Sequence, residues 1–322
     1  MSGARPHVSA VIPVYNEEAN LPELNDRMTK ALESIGKPWE LVYVDDGSAD
    51  KSLEMLSAYA AKDPRIKVVE FNRNYGQHAA VFAGLAQTKG EIVVTLDADL
   101  QNPPEEVPKL VATMEEGYDV VGSVRRNRQD PLFRKLASKL VNRLTRSGNR
   151  AAQGMTDYGC MLRAYSRNVV DQISQCKELS SFIPVLAMMY AKKTTEIPVN
   201  HNERSRGTSK YGLYQLIKLQ MDLMTGFSFL PLRFLSWFGA VVALFAFILS
   251  LYILVMRIIR GDQWAQFGVF TLFAALFMMV GGLFIGMGIL GEYVGRIYGE
   301  VRQRPRFVVR KVHGAPVESS SS

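Results

Sequence analysis

Two stretches without a single charge, Phe234 to Met256 ("FLSWFGAVVALFAFILSLYILVM") and Phe267 to Leu290 ("FGVFTLFAALFMMVGGLFIGMGIL"), constrain this chain more than any other feature. Each is long enough, at about 1.5 Å per helical residue, to cross a hydrocarbon layer of about 30 Å. A helix of that length at the surface of a soluble protein carries a polar face, and these carry none. The pattern therefore predicts two transmembrane helices, 234–256 and 267–290, rather than two buried core helices. The link between them, "RIIRGDQWAQ", is short, so the pair forms a hairpin. Arg233 precedes the first span, and Arg296, Arg302, Arg304, Arg306, Arg310 and Lys311 follow the second. The link itself holds Arg257 and Arg260, offset by Asp262. The excess of positive charge places both termini, and the long region before the hairpin, in the cytoplasm.

Composition agrees with this split. Of 322 residues, 48% are hydrophobic, yet charges are frequent up to about residue 233 and nearly vanish until about residue 291. A net charge of +7 fits an anionic partner: nucleic acid, a membrane surface or a phosphorylated substrate. Cys160 and Cys176 are the only cysteines, which is neither a disulfide framework nor a zinc spacing, and suits a reducing compartment. The opening stretch "MSGARPHVSAVIPVYNE" is expected to hold no signal peptide, because its apolar run is short and broken by Pro13.

Before the hairpin, strand and helix patterns alternate. Apolar, β-rich runs occupy Val8–Tyr15, Glu40–Val44, Ile66–Phe71, Ile92–Asp97 and Val120–Val124, with helical patterns such as Leu21 to Ile35 and Ser52 to Ala61 between them. That order predicts an α/β domain with a mainly parallel sheet, whose ligands bind beyond the carboxyl ends of the strands. Polar loops stand at four such ends: "YNEE", "DDGSAD", "NRNYGQ" and "DADLQ". In the last, Asp97 and Asp99 are separated by Ala98. On an extended chain residues i and i+2 point to one side, so both carboxylates can face one pocket. Their mutual repulsion is relieved by a divalent cation, and oxygen ligands suit Mg²⁺ or Mn²⁺. The competing reading is that one aspartate caps the helix that begins near Pro103. Neither a G-x-G-x-x-G nor a P-loop sequence occurs, which argues against a dinucleotide oxidoreductase or a P-loop NTPase.

Several basic and amphipathic features point to phosphate and lipid. Arg125, Arg126, Arg128 and Arg134 offer guanidinium forks suited to phosphate oxygens. Residues 132–146, "LFRKLASKLVNRLTR", read as an amphipathic helix for an anionic membrane surface, with packing on the soluble core as the alternative. A second apolar segment, Tyr211 to Met224, leads into the first span. Glycines 282, 286, 291, 295 and 299 allow close helix contact, within the hairpin or between subunits of a homo-oligomer. His78 and His201 have no metal-ligand spacing around them and read as structural.

With these elements in place, "VIPVYNE", "VDDGSAD", "NYGQHAA", "LDADLQNPPEE" and "ERSRGTSKYG" resemble the inverting family-2 glycosyltransferases that load a sugar onto a polyprenyl phosphate. The resemblance covers essentially the whole chain. Where glucosyl and mannosyl members carry D-x-G-D-F-R-L, this chain has "DYGCMLRAY" (157–165), and with "GYDVVGSVRRNRQD", "SFIPVLA" and "GMGILGEYVGRIY" it is most similar to the branch handling 4-deoxy-4-formamido-L-arabinose.

The resemblance implies a GT-A-like, Rossmann-type domain and four regions. They are a nucleotide-sugar core (1–130), an acceptor-side part with interfacial helices (131–232), the hairpin (233–291) and a basic cytoplasmic tail (292–322). By resemblance, Pro13, Tyr15, Glu17 and Asp46 hold the uracil and ribose of a UDP-sugar. Asp97, Asp99 and Gln101 hold the metal and, through it, the diphosphate. Asp157 lies near the reacting centre. Arg204, Ser209 and Lys210 close over the donor diphosphate and acceptor phosphate; Arg206 falls outside that pattern, and Arg128 stands with the guanidinium candidates for phosphate, whose alternative is a solvated basic loop. The implied partners are the donor, undecaprenyl phosphate and the inner membrane, with no nucleic acid. The implied activity is a metal-dependent pentosyl transfer feeding lipid A modification and resistance to cationic peptides such as polymyxin. Three rivals differ in kind. A glucosyltransferase would differ in donor only. A processive synthase needs further spans and a Q-x-x-R-W string, to which "QRPRF" (303–307) is the nearest approach. A membrane-anchored sensor would bind nucleotide-sugar without turnover.

Overall fold

The computed structural model describes residues 5–125, 160–176, 182–200, 230–260, 269–302 and 305–314. Its centre is an eight-stranded sheet of β1 (Val8–Val14), β2 (Trp39–Asp45), β3 (Ile66–Phe71), β4 (Ile92–Thr95), β5 (Val120–Arg125), β6 (Arg163–Ser166), β7 (Thr194–Val199) and β8 (Val309–His313). Their order is β7-β5-β6-β4-β1-β2-β3-β8. Pairs β1–β2, β1–β4, β2–β3 and β5–β7 are parallel, whereas β6 and β8 pair antiparallel with their neighbours. The expected mainly parallel α/β sheet is therefore present. All seven residues of β1 and of β2 are buried. A strand covered on both faces reads as an unbroken apolar run, which is why "VSAVIPV" shows no alternation.

Helices α1 (Leu21–Ser34), α2 (Ser52–Lys62), α3 (Gln77–Gln87) and α4 (Val107–Glu115) form the crossovers. In α1 the buried residues Leu21, Leu24, Met28, Ala31 and Leu32 recur at helical spacing and make one apolar stripe against the core. The close seat of α3 on the sheet depends on Gly84, where a Cβ would collide with Val11 Cγ1 and lie 3.0 Å from Val44 Cγ2. After β6 come α5 (Arg167–Gln175), capped by the Ser166 hydroxyl, and α6 (Ile183–Tyr190).

The chain divides into two compact units. The first contains the sheet, including β8, although the sequence pattern singles out no strand after residue 291. The second contains α7 (Leu230–Arg260) and α8 (Val269–Val301), two long helices where two spans are expected. Among the described residues, the one stretch long and apolar enough to cross a membrane is Met279–Gly299. Within this unit Gly286 is the closest approach: a Cβ there would lie 3.0 Å from Leu235 Cδ1, and one on Gly282 would lie 3.7 Å from Phe238 Cε1. These two glycines therefore serve contact inside the helix pair. Large apolar side chains such as Trp237, Phe247 and Ile285 are 74%, 67% and 69% exposed.

Candidate functional site

The strand order creates the site. The chain runs from β1 to β2 to β3 in one direction, then returns to place β4 on the other side of β1. At such a switch point the loops leaving β1 and β4 diverge to opposite faces and open a crevice beyond their carboxyl ends. Two backbone bonds draw neighbouring strand ends together there: Asp46 N donates to Val14 O at 2.8 Å, and Leu96 N donates to Val11 O at 3.1 Å.

On one side of the crevice stand the ends of β1 and β2. Pro13 is buried in β1 opposite Val44, and Tyr15 emerges 41% exposed. Asn16 takes a left-handed φ of 55°, and its Oδ1 accepts Ala49 N at 2.7 Å. Glu17 N donates to Ser52 Oγ at 3.0 Å, while Glu17 Oε2 accepts Asn20 Nδ2 at 2.6 Å. The two loops are thus stitched side chain to backbone, as short polar residues do in turns.

Asp45 and Asp46, 1% and 3% exposed, close β2. Both Asp46 oxygens are occupied by amides of the loop after β3: Tyr75 N donates to Oδ1 at 2.7 Å and Gly76 N to Oδ2 at 2.9 Å. Burial, with the charge of Asp45 alongside, still pushes the Asp46 carboxyl above its ordinary value, against those two bonds. Burial likewise raises Asp45, whose Oδ2 accepts Ser48 N at 3.2 Å. Gly47 must be glycine here. Its φ is 70°, and a Cβ would lie 2.5 Å from the Arg73 carbonyl carbon.

Asp97 and Asp99 stand across the crevice. The strand ends earlier than expected, at Thr95, so the pair does not lie on extended chain. Asp99 sits in a turn continued by Leu100 at φ 59°, and its Oδ1 accepts Gln101 N at 3.2 Å. The i, i+2 alternation of an extended strand therefore does not set the placing of the two side chains. The turn at 98–99, continued by Leu100 in the left-handed region, takes the place of the strand. The capping alternative fails too. The short 3₁₀ turn Pro104–Glu106 and the helix α4 that follows it start without a side-chain cap.

Asp97 and Asp99 are half-buried, and Gln77, at the start of α3, donates its Nε2 to Asp97 Oδ1 at 2.5 Å. Gln77 joins the candidate site from the polar strand-end loop "NRNYGQ", whose sequence does not single it out. Among the described residues no third His, Cys, Asp or Glu makes a metal cluster with them. Two carboxylates with Gln101 beside them form a small set of hard oxygen donors. Such a set fits Mg²⁺ or Mn²⁺, which take their remaining ligands from water or phosphate oxygens.

Behind this turn Ser123 Oγ donates to Leu162 O at 2.6 Å, and Cys160 Sγ donates to Asn102 Oδ1 at 3.4 Å. Cys160 is 2% exposed, so the described part of the departure, residues 160–165, supports this turn from beneath. His78 is packed edge-on against Phe182 at 5.3 Å, and burial lowers its pKa, in keeping with a structural role. Asp157, Arg126, Arg128, Arg134, His201, Arg204, Ser209 and Lys210 lie outside the described residues, as do the segments 132–146 and Tyr211 to Met224.

The model of glycosyl transferase family 2 matches residues 9–174. The chain is 55% identical over 318 residues to the undecaprenyl-phosphate 4-deoxy-4-formamido-L-arabinose transferase of Pectobacterium carotovorum subsp. carotovorum, covering 98% of this chain and 96% of that one. It is also 55% identical to the protein of that name from Salmonella paratyphi B, over 95% of this chain and 93% of the other. Among solved structures it is similar in fold to glucosyl-3-phosphoglycerate synthase from Mycobacterium tuberculosis in complex with Mg²⁺ and UDP. That match has a TM-score of 0.50 and 21% identity, over 68% of this chain and 77% of that chain.

Proposed function

The chain belongs to glycosyl transferase family 2, and from that premise we propose that it transfers 4-deoxy-4-formamido-L-arabinose from UDP to undecaprenyl phosphate. The observation that carries this reading is the near-full-length likeness to transferases of that name. The strand-end crevice supports it, because a nucleotide with a diphosphate needs both a directional acceptor and an anion-compatible end.

Asp46 supplies the acceptor. Held by two backbone amides, its carboxylate has lone pairs left for the uracil N–H. Pro13, Tyr15 and Glu17 frame the base and ribose from the end of β1. Asp97, Asp99 and Gln101 would hold Mg²⁺ or Mn²⁺, which when bound supplies charge stabilisation for the departing diphosphate.

The reaction is a single in-line displacement at the anomeric carbon, inverting its configuration. The acceptor phosphate oxygen forms the new bond and UDP leaves with the old one. A phosphate monoester has a second pKa of about 6 and is already largely anionic, so Asp157 orients the acceptor rather than serving as an indispensable base. Arg128, Arg204, Ser209 and Lys210 hold the crowded phosphates. The helices α7 and α8 form a two-span hairpin in the inner membrane with both termini and the catalytic unit cytoplasmic. The product feeds lipid A modification and polymyxin resistance.

A donor panel with undecaprenyl phosphate, read by mass spectrometry of the lipid product, tests the proposal. Pentosyl transfer from the formamido-arabinose donor is expected. Turnover of UDP-glucose alone would assign the chain to a different branch, and binding without turnover of any donor would make it a sensor.

A further inference from the structure

The segment just past the end of α8 returns to the sheet as a strap. Arg306 lays its guanidinium over the Phe82 ring of α3 at 4.3 Å and donates Nη2 to Cys176 O, at the end of α5, at 2.6 Å. Phe307 stacks on Phe71, the last residue of β3, with ring centroids 5.0 Å apart and planes 15° from parallel. β8 then pairs antiparallel along β3, from Phe71↔Val309 to Val68↔His313. Glu70 in β3, its side chain 8% exposed, meets Arg310 at 3.1 Å and His313 Nε2 at 2.9 Å. The strap closes at Gly314, φ 75°, where a Cβ would collide with Ile66 O.

These contacts continue into the loop that cradles Asp46. Phe71 meets the edge of Tyr75 at 5.6 Å and 87°. Asn72 N donates to Val308 O of the strap at 3.3 Å, and Arg73 lies over the Tyr75 ring at 4.8 Å. Tyr75 and Gly76 are the residues whose amides hold Asp46. The loop 72–76 is therefore pinned at its start by the strap and at its end by Asp46, with the aromatic series Phe307, Phe71, Tyr75 between.

We propose that Phe307 is a positioning residue for the donor pocket: by stacking on Phe71 it fixes Tyr75, and so sets the amides that aim Asp46 at the nucleotide base. This rests on the reading of Asp46 as a uracil contact, and the test separates the two. Phe307 itself touches no substrate. It acts through the loop, so it governs how well the nucleotide is held rather than how fast the held donor reacts.

The test uses the full chain in detergent with Mg²⁺ and UDP as the probe, read by calorimetry, together with KM and kcat for the sugar donor. Phe307→Leu keeps the apolar bulk and removes the stacking ring. It is expected to raise the UDP Kd and donor KM about fivefold, the size of a lost aromatic pair, with kcat within about twofold. Phe307→Tyr restores the ring and the affinity. Arg310→Gln, which loosens β8 away from the stack, leaves the UDP Kd unchanged. Tyr75→Leu, breaking the series at its other end, shifts Kd in the same direction as Phe307→Leu. If Asp46→Asn weakens UDP while Phe307→Leu binds it like the parent, the positioning role is overturned and the pocket reading stands. If Asp46→Asn also binds UDP like the parent, the pocket reading falls and takes this inference with it.

Discussion

Two acidic pairs stand at strand ends on either side of β1, and they are built in opposite ways. Asp45 and Asp46 end a fully buried strand and are themselves 1% and 3% exposed. Asp97 and Asp99 follow a strand that stops short, on a turn that leaves both half-exposed. The first pair is held by the protein: backbone amides occupy both Asp46 oxygens, and burial raises its pKa. The second has the Gln77 amide on Asp97 and the Gln101 amide on Asp99, and it opens to the crevice. A carboxylate locked by amides reads direction, which suits a base edge. A pair left toward solvent can share a cation with a ligand's phosphates. In the function proposed above, the same residue type serves selectivity on one wall and charge on the other.

The comparison breaks most visibly at Asp99. Asp99→Ala is expected to lower kcat by about 10²- to 10³-fold, the cost of losing one preorganised electrostatic element, with the folded unit intact by circular dichroism. Full transfer by that variant, measured with saturating donor, would remove the pair from the chemistry.

Next in size is Asp46→Ala, expected to weaken UDP about 10- to 100-fold in calorimetry, as for a hydrogen bond to a charged group. This loss should appear with or without divalent ion, whereas the contribution of Asp97 and Asp99 should vanish when the ion is chelated.

The two walls also separate by pH. Because the folded pKa of Asp46 is raised, its ionised form is lost as pH falls through that raised value, earlier than for an ordinary aspartate. UDP affinity should then drop over a range of pH lying above that of an ordinary carboxylate. The stability term has the opposite sign. Burying the ionised group costs stability at neutral pH, and that cost disappears as the pH falls. Comparison with Asp46→Asn isolates both effects: the variant should show a flatter affinity profile and a melting temperature less sensitive to this range.

The smallest expected effect is at Gln77. Gln77→Ala removes one neutral donor to Asp97 and should reduce kcat/KM about threefold, whereas Gln77→Glu, placing a like charge beside Asp97, should reduce it further.

Much of this was legible in the chain. The buried strands announce themselves as unbroken apolar runs, and α1 as a stripe from Leu21 to Leu32. The polar strand ends mark the site, because a parallel sheet collects its loops at one edge. Other features were hidden for definite reasons. Where β4 stops depends on a turn with Leu100 at positive φ, which no local pattern of "LDADLQNPP" betrays. Gln77 is an ordinary polar residue until α3 sets it against Asp97. β8 is basic and short, with a burial pattern that never reaches the core. Its pairing with β3 spans most of the sequence, so it leaves no local signal at all.

By itself, then, the sequence determined the alternation of strands and helices, the two long apolar helices and the residue types at the strand ends. Periodicity, composition and turn chemistry are local properties, written within a few residues. Only the tertiary structure decided that β4 lies beside β1, that amides from one loop occupy a carboxylate from another, and that a segment beyond the last helix stacks on the end of β3. Those are contacts between distant parts of the chain. They are selected by which surfaces can be buried together, and that choice is made only when the whole unit packs.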